Sequence, residues 1–256
     1  MSDYFDNVDF PIDTNNLWWQ FERNYNKFYL DAEPFMSIIP KKIHQVWVGS
    51  PVPEAYNRLR QTWIDLHPDW EYKLWTDKDA EDFGMKNKSL FDRIENNGSK
   101  ADIFRYEIIY RHGGIYADTD FECIKPFDMF RQLSFFGGSG WTNNPCTFNG
   151  LFGAIPYHPI LRKALEILGL KDIQPRNSLD KINSVTGADF LSDIATDYMQ
   201  YNIDDRIVVF PKNFFYPFPP EKRLSVREDN EESRRLTHSY LTPKTHAIHL
   251  WYTSWQ

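Results

Sequence analysis

Apolar residues recur along this chain at two different periods, and the switches between them mark out its elements. In "TNNLWWQFERNYNKFYLD", Leu17, Phe21, Tyr25 and Phe28 fall three or four positions apart. That spacing predicts an amphipathic helix with Thr14 or Asn15 as its cap, packed on the rest of the domain. After "EPFMSIIPKK" the pattern changes. "IHQVWVG" is a short β-branched and aromatic strand ended by Gly49, Pro51 and Pro53, and "EAYNRLRQTWIDLH" returns to helical spacing until Pro68. "EYKLWTD" reads as the next strand. "SKADIFRYEIIYRHGG" predicts a helix that starts at Ser99, has Asp102 in a capping-box position and ends at Gly113, where φ > 0 is accessible. Farther on, "CTFNGLFGAIP", "RIVVF" and "HAIHLW" read as strands, and "HPILRKALEILGL" and "GADFLSDIATDYMQY" as helices. In "EKRLSVREDNEESRR", ten of the fifteen residues are charged with mixed signs, which predicts a solvated excursion.

Strands that alternate with helices predict an α/β domain in which helices cover a largely parallel sheet. Ligand sites in such sheets lie beyond the carboxyl ends of the strands. A length of 256 residues suits one such domain with appendages. Aromatics make up 17% of the chain, enough to fill a core and to leave rings for stacking on sugars or bases. The net charge of −7 argues against a general nucleic-acid binder, because phosphate-backbone affinity needs clustered Lys and Arg. Cys123 and Cys146 are too few for a disulfide scaffold or a cysteine-based zinc site. The start, "MSDYFDNVDFPID", is acidic and lacks the features of a signal peptide, and no run of 18 apolar residues occurs. The expectation is a soluble, cytoplasmic protein without a transmembrane segment, with peripheral membrane contact through the amphipathic segment as the sharper alternative.

The stretch "GGIYADTDF" places Asp118 and Asp120 two residues apart, straight after a β-prone segment. Residues i and i+2 of an extended chain share a face, so the two carboxylates repel unless a cation lies between them; a divalent metal is the natural candidate. An EF-hand loop is excluded, because Cys123 stands where it needs Gly and Met129 where it needs its bidentate Glu. A phosphohydrolase that forms a phospho-aspartate at Asp118 is one alternative. Asp102 and Arg105, three apart on one predicted helix, share a face near its start. Read alone they are a cap and an ion pair. Near the carboxyl end, "HLWYTSW" offers His249, Ser254 and Trp255, a nitrogen ligand, a hydroxyl and a ring.

The blocks "IPKKIHQVWVG", "WEYKLWTD", "KADIFRYEIIYRHGGIYADTDF", "TFNGLFGAIPYHP", "VTG" and "AIHLWYTSW" occur in this order. Together they resemble the family 32 glycosyltransferases, a D-x-D sugar-binding group that includes initiating α-1,6-mannosyltransferases and capsular transferases. The glucosyltransferase domains of clostridial toxins are more distant relatives. The resemblance spans Ile39 to Trp255 and leaves residues 1–36 outside, so it implies an amino-terminal helical extension and a glycosyltransferase domain over 37–256. It implies a GT-A fold, a nucleotide diphosphate sugar donor (a UDP- or GDP-sugar), a Mn²⁺ or Mg²⁺ ion, and transfer of a hexose or N-acetylhexosamine, with retention, to a hydroxyl of a glycan or protein acceptor. Gln45 and Trp47 match positions that line the base, Asp102 and Arg105 those that hold the donor sugar and phosphate, and Tyr116 and Asp118 further donor contacts. Asp120 matches the direct metal ligand, completed by Asp118 and His249, while Trp255 closes the site. Asn149 is placed on the acceptor side, and Asp189 is the carboxylate available for a double-displacement route. Leu250 stands where many members have a second His, and Ala188 where Pro is usual. The oxygen and nitrogen set of Asp118, Asp120 and His249 suits Mn²⁺, and Arg105 can grip phosphate with two prongs. A sugar- or nucleotide-sugar-binding protein without turnover is the second alternative.

Overall fold

The computed structural model describes residues 4, 17–33, 35–141, 145–170, 179–226 and 230–252. Thr14, Asn15, Ser254 and Trp255 lie outside them. The helix of the amino-terminal segment runs as α1 (Leu17–Tyr25) and continues as a π turn over Asn26–Leu30. Phe21, Tyr25 and Phe28 are buried in the main core, and Asn24 Nδ2 donates to the Ile207 carbonyl at 2.9 Å. The segment therefore packs on the domain, as its apolar stripe predicts.

The central sheet has the order β2-β1-β3-β6-β5-β7. Its strands are β1 (Lys42–Val46), β2 (Glu71–Trp75), β3 (Gly114–Ala117), β5 (Phe135–Gly138), β6 (Phe148–Ala154) and β7 (Ile207–Phe210). β1 pairs in parallel with β2 and β3, and β5 with β7, whereas β6 runs antiparallel between β3 and β5. The expected largely parallel sheet is thus present, with one reversed strand beside the one that leads to the Asp pair. β5, "FFGG", has no alternation to betray it, since all four residues are buried. Covering helices are α2 (Asn57–Leu66), α3 (Asp77–Asp82), α4 (Lys88–Arg93), α5 (Asn97–His112), α6 (Pro159–Leu170), α7 (Leu179–Val185) and α8 (Ala188–Tyr201).

α5 begins two residues before the expected Ser99, because Asn96 is its cap and accepts from the Ser99 N–H. Asp102 is therefore no capping residue; it lies inside the helix, buried, and faces the site. The helix ends at Gly113, φ 60°, and Gly114 follows at φ 100°. A Cβ on Gly114 would lie 2.7 Å from the Lys42 carbonyl, so this sharp entry into β3 admits only glycine. β3 then ends at Ala117 and delivers Asp118 at the carboxyl edge of the sheet.

A second, two-stranded sheet fixes the other half of the site. β4 (Phe121–Cys123) pairs antiparallel with β8 (Ala247–His249), with Phe121 opposite His249. The strand expected in "HAIHLW" exists, but outside the main sheet. The charged run after Pro219 is also more ordered than its charge suggests. It holds a 3-10 segment, Pro220–Val226, and α9 (Glu231–His238), capped by the Asn230 side chain on the Ser233 N–H. Glu231 and Glu232 lie in its first turn and Arg235 and His238 in its last, so the mixed signs follow the helix dipole. His238 Nε2 reaches Glu122 Oε1 at 3.2 Å and ties α9 to β4. Among the described residues no helix is long and apolar enough to cross a membrane.

Candidate active site

A cavity of about 370 Å³ opens beyond the carboxyl edge of β1 and β3. Asp118, Asp120 and His249 line it, each offering one ligand atom, and these atoms lie within 4.8 Å of one another. Asp118 and Asp120 occupy the link from β3 to β4, so the two sheets meet at the D-x-D residues. The β4–β8 register brings in His249, whose ring stacks on Phe121 at 4.4 Å. Its Nε2 is 3.0 Å from Asp120 Oδ1, and its buried Nδ1 has no hydrogen-bond partner. Asp120 Oδ2 accepts from the Tyr252 N–H at 2.8 Å, and its carbonyl from the Leu250 N–H at 3.1 Å. Between them Trp251 adopts φ 58°, an uncommon conformation for a bulky residue, at the turn that presents Tyr252 to Asp120.

Asp118 rests on a buried polar layer. Its Oδ1 accepts from the Tyr116 hydroxyl at 2.7 Å and lies 3.1 Å from Arg105 Nη2, and its carbonyl accepts from Gln45 Nε2 at 3.1 Å. Its Oδ2 is 2.8 Å from where a Cβ of Gly150 would be. Burial pushes the Asp118 carboxyl above its ordinary pKa; Arg105 opposes this and the neighbouring Asp120 adds to it. Two close carboxylates and an imidazole with an unpartnered nitrogen fit a divalent cation, which would relieve that crowding of negative charge.

Arg105 is buried beneath this layer. Its Nε donates to the Ala101 carbonyl at 3.3 Å and its Nη1 to the Asn149 carbonyl at 2.8 Å. Nη2 lies 3.1 Å from both Asp102 Oδ1 and Asp118 Oδ1, and the guanidinium sits 4.4 Å from the Tyr116 ring centroid. The two-pronged phosphate grip expected of Arg105 does not fit this geometry, since most of its donors are already engaged within the protein. Asp102 is held equally closely: Oδ1 accepts from Asn149 Nδ2 at 2.7 Å and Oδ2 from Thr186 Oγ1 at 2.8 Å. Burial still raises its pKa, against the pull of Arg105, Thr186 and Asn149.

The remaining expected residues divide into two groups. Trp47 and Asn149 line the cavity with the residues above, Asn149 bonded to Asp102. Gln45 and Tyr116 are fully buried and lie behind the lining, where they hold Asp118 in place. Asp189 is exposed in the first turn of α8 and does not line the cavity, so the carboxylate expected for double displacement is not presented to it. Sequence reading assigned no role to Thr186, Tyr106, Gly150, Arg223 or Tyr252. All but Arg223 lie within the blocks that carry the resemblance, yet nothing local marks them, since their roles come from residues remote in sequence.

Residues 53–136 match the family model described as a glycosyltransferase sugar-binding region containing the DXD motif. Over that stretch the chain carries the DXD sugar-binding region that this family model describes. The matched stretch contains Asp102, Arg105, Tyr116, Asp118 and Asp120, while Trp47, Asn149 and His249 reach the site from outside it. Mannosyl phosphorylinositol ceramide synthase SUR1 of Saccharomyces cerevisiae is 36% identical over 177 residues, 68% of this chain and 46% of that protein. Inositol phosphoceramide mannosyltransferase 2 of Schizosaccharomyces pombe is 35% identical over 143 residues, 54% of this chain and 40% of that protein. The chain thus spans less than half the length of these two relatives. Among solved structures, PaToxG glycosyltransferase superposes with a TM-score of 0.55 at 16% identity, over 72% of this chain and 77% of the other. The expected GT-A fold is the fold observed.

Proposed function

We propose that this chain is a divalent-metal-dependent, retaining glycosyltransferase that moves a hexose from a nucleoside diphosphate sugar to a hydroxyl acceptor. The observation that carries the reading is the convergence of Asp118, Asp120 and His249 on a cavity also lined by Trp47 and Asp102. Relatives named as mannosyltransferases make mannose the first sugar to test, and those named for inositol phosphoceramide add a lipid-borne hydroxyl to glycan and protein acceptors. Mn²⁺ or Mg²⁺ would be held by Asp118, Asp120 and His249 and would offset the charge that develops on the departing diphosphate.

The protein's own groups have separable tasks in this reading. Trp47 offers a ring for the base. Asp102, fixed by Asn149 and Thr186, presents acceptor lone pairs to a sugar hydroxyl and holds the hexose in register. Arg105 bridges Asp102 and Asp118 and favours their charged forms against the effect of burial. Among the described lining residues the carboxylates are Asp102, Asp118 and Asp120, all anchored, and none is free to attack the anomeric carbon. A front-side route fits better: the carbon–oxygen bond to the diphosphate breaks, the acceptor oxygen bonds to the same face, and its proton passes to the leaving phosphate oxygen.

Incubation with UDP- and GDP-hexoses and Mn²⁺ should release free nucleoside diphosphate, and Asp120→Asn should remove most of that turnover with its circular dichroism unchanged. Donor binding without release would point to a binding protein. Trapping of a phosphoryl group on Asp118 would point to a phosphohydrolase.

A further inference from the structure

Arg105 leaves a gap in the chemistry. The diphosphate of a donor sugar carries two negative charges and gains a third as it departs, while Asp118 and Asp120 would already offset the two charges of a divalent ion, so a further cation is called for beside it. Arg105 is buried, faces two carboxylates and donates to two carbonyls. Among the described residues that line the cavity, the other Lys or Arg is Arg223, on the 3-10 segment Pro220–Val226. Arg223 is exposed, makes no ion pair with any described residue, and donates only to the Pro220 carbonyl, at 3.3 Å, within its own turn. Pro220, Trp251 and Tyr252 line the same cavity, so Arg223 belongs to the wall formed with the segment that also anchors Asp120.

We infer that Arg223 is the residue that binds the diphosphate of the donor. This rests on the glycosyltransferase reading and names which cation of that site meets the phosphates. Unlike Arg105, it has donors to give: after the bond to Pro220 its fork can direct two N–H groups at non-bridging oxygens. Its sequence context hides it. It sits in the charged run outside the matched family stretch, where a lone Arg has nothing to distinguish it.

Calorimetric titration of the full chain with UDP and with GDP in Mn²⁺ tests this, comparing wild type, Arg223→Ala and Arg223→Lys. The expected result is tighter binding of one nucleotide by wild type and a loss of about 10- to 100-fold in Arg223→Ala, with part of it restored in Arg223→Lys. The same difference should persist in EDTA, because it does not pass through the ion. An exposed side chain leaves the core untouched, and matching circular dichroism of the variants checks this. Wild type and Arg223→Ala binding alike within twofold would overturn the inference and leave the glycosyltransferase reading standing. So would unchanged nucleotide affinity with a raised KM for the acceptor, which would move Arg223 to the acceptor side. Failure of wild type to bind either nucleotide would overturn both.

Discussion

At Arg105, four interactions within the protein alter what its substitution reports. A phosphate-binding Arg replaced by Lys lowers turnover and leaves stability alone. Here Lys cannot reach Asp102, Asp118 and the Asn149 carbonyl together, and part of a buried charge is left unpaired. Arg105→Lys should therefore lower stability by about 2 to 4 kcal/mol in urea denaturation as well as lower activity. Normal stability with reduced donor affinity would return Arg105 to the phosphate. The D-x-D pair is legible from its i, i+2 spacing after a β-prone run, although both residues lie in the turn between β3 and β4, where the fold rather than strand period brings them together. Asp102 and Arg105 were legible as neighbours on a helix, but not what they meet. Thr186 and Asn149, 84 and 47 positions from Asp102, are joined to it only by the fold.

Among elements, β6 shows how a strand outside the D-x-D block shapes the site. Gly150 gives Asp118 its place, since a Cβ there would come within 2.8 Å of Oδ2. Gly150→Ala should displace that carboxylate and weaken Mn²⁺ binding by roughly tenfold, with little loss of stability, as read by calorimetry and melting. Unchanged metal affinity would mean that Asp118 can move aside without consequence. α1 is the opposite case. Its stripe predicted packing, and Phe21 is fully buried. Phe21→Ala should cost about 3 to 5 kcal/mol, whereas a membrane- or partner-facing stripe would leave the denaturant midpoint of the isolated protein unchanged. The residue-36 boundary implied by resemblance thus does not coincide with a break in packing. α9 is hidden in the sequence by the charge density of its run, and only the order of the charges marks it: acids first and bases last is the arrangement a helix dipole favours.

On the scale of the whole molecule, α/β alternation was legible, but strand order was not, because a reversed β6 and a detached β4–β8 pair depend on contacts between distant segments. The same distant contacts bury several histidines and fix their protonation. His44 Nδ1 accepts from Trp75 Nε1 at 3.1 Å, so its Nε2 donates to the Gly113 carbonyl. His67 Nε2 accepts from the Phe127 N–H at 3.0 Å while its Nδ1 donates to the Trp63 carbonyl. A second proton on either ring would replace an accepted hydrogen bond with a clash of donors. Burial independently pushes the His44 pKa down to about 3 and those of His158 and His246 down to about 4, and it lowers that of His67 as well.

The sign of the resulting pH dependence follows from proton counts. Below the ordinary histidine value of about 6.5, the unfolded chain takes up protons that the folded chain refuses, so stability falls as pH falls. Each such histidine contributes a slope approaching about 1.4 kcal/mol per pH unit between its unfolded and folded values. Asp102, Asp118 and Glu107, whose pKa values are raised chiefly by burial, act in the opposite sense, since the folded state protonates them first. Their effect sets in as pH falls through the raised folded values and opposes that of the histidines, so the histidine share is read in the window from pH 7.5 to about 5.5 by comparison with a variant that lacks one ring. Urea midpoints should drop steeply across it. His246→Asn supplies the control: an amide placed near Nδ1 can still donate to the Pro126 carbonyl, which the imidazole meets at 3.0 Å, but cannot titrate. It should make the dependence shallower while keeping most of the stability at pH 7.5. A pH dependence that is the same in wild type and His246→Asn would show that the folded chain accepts the proton on that ring, and that its burial does not hold it neutral.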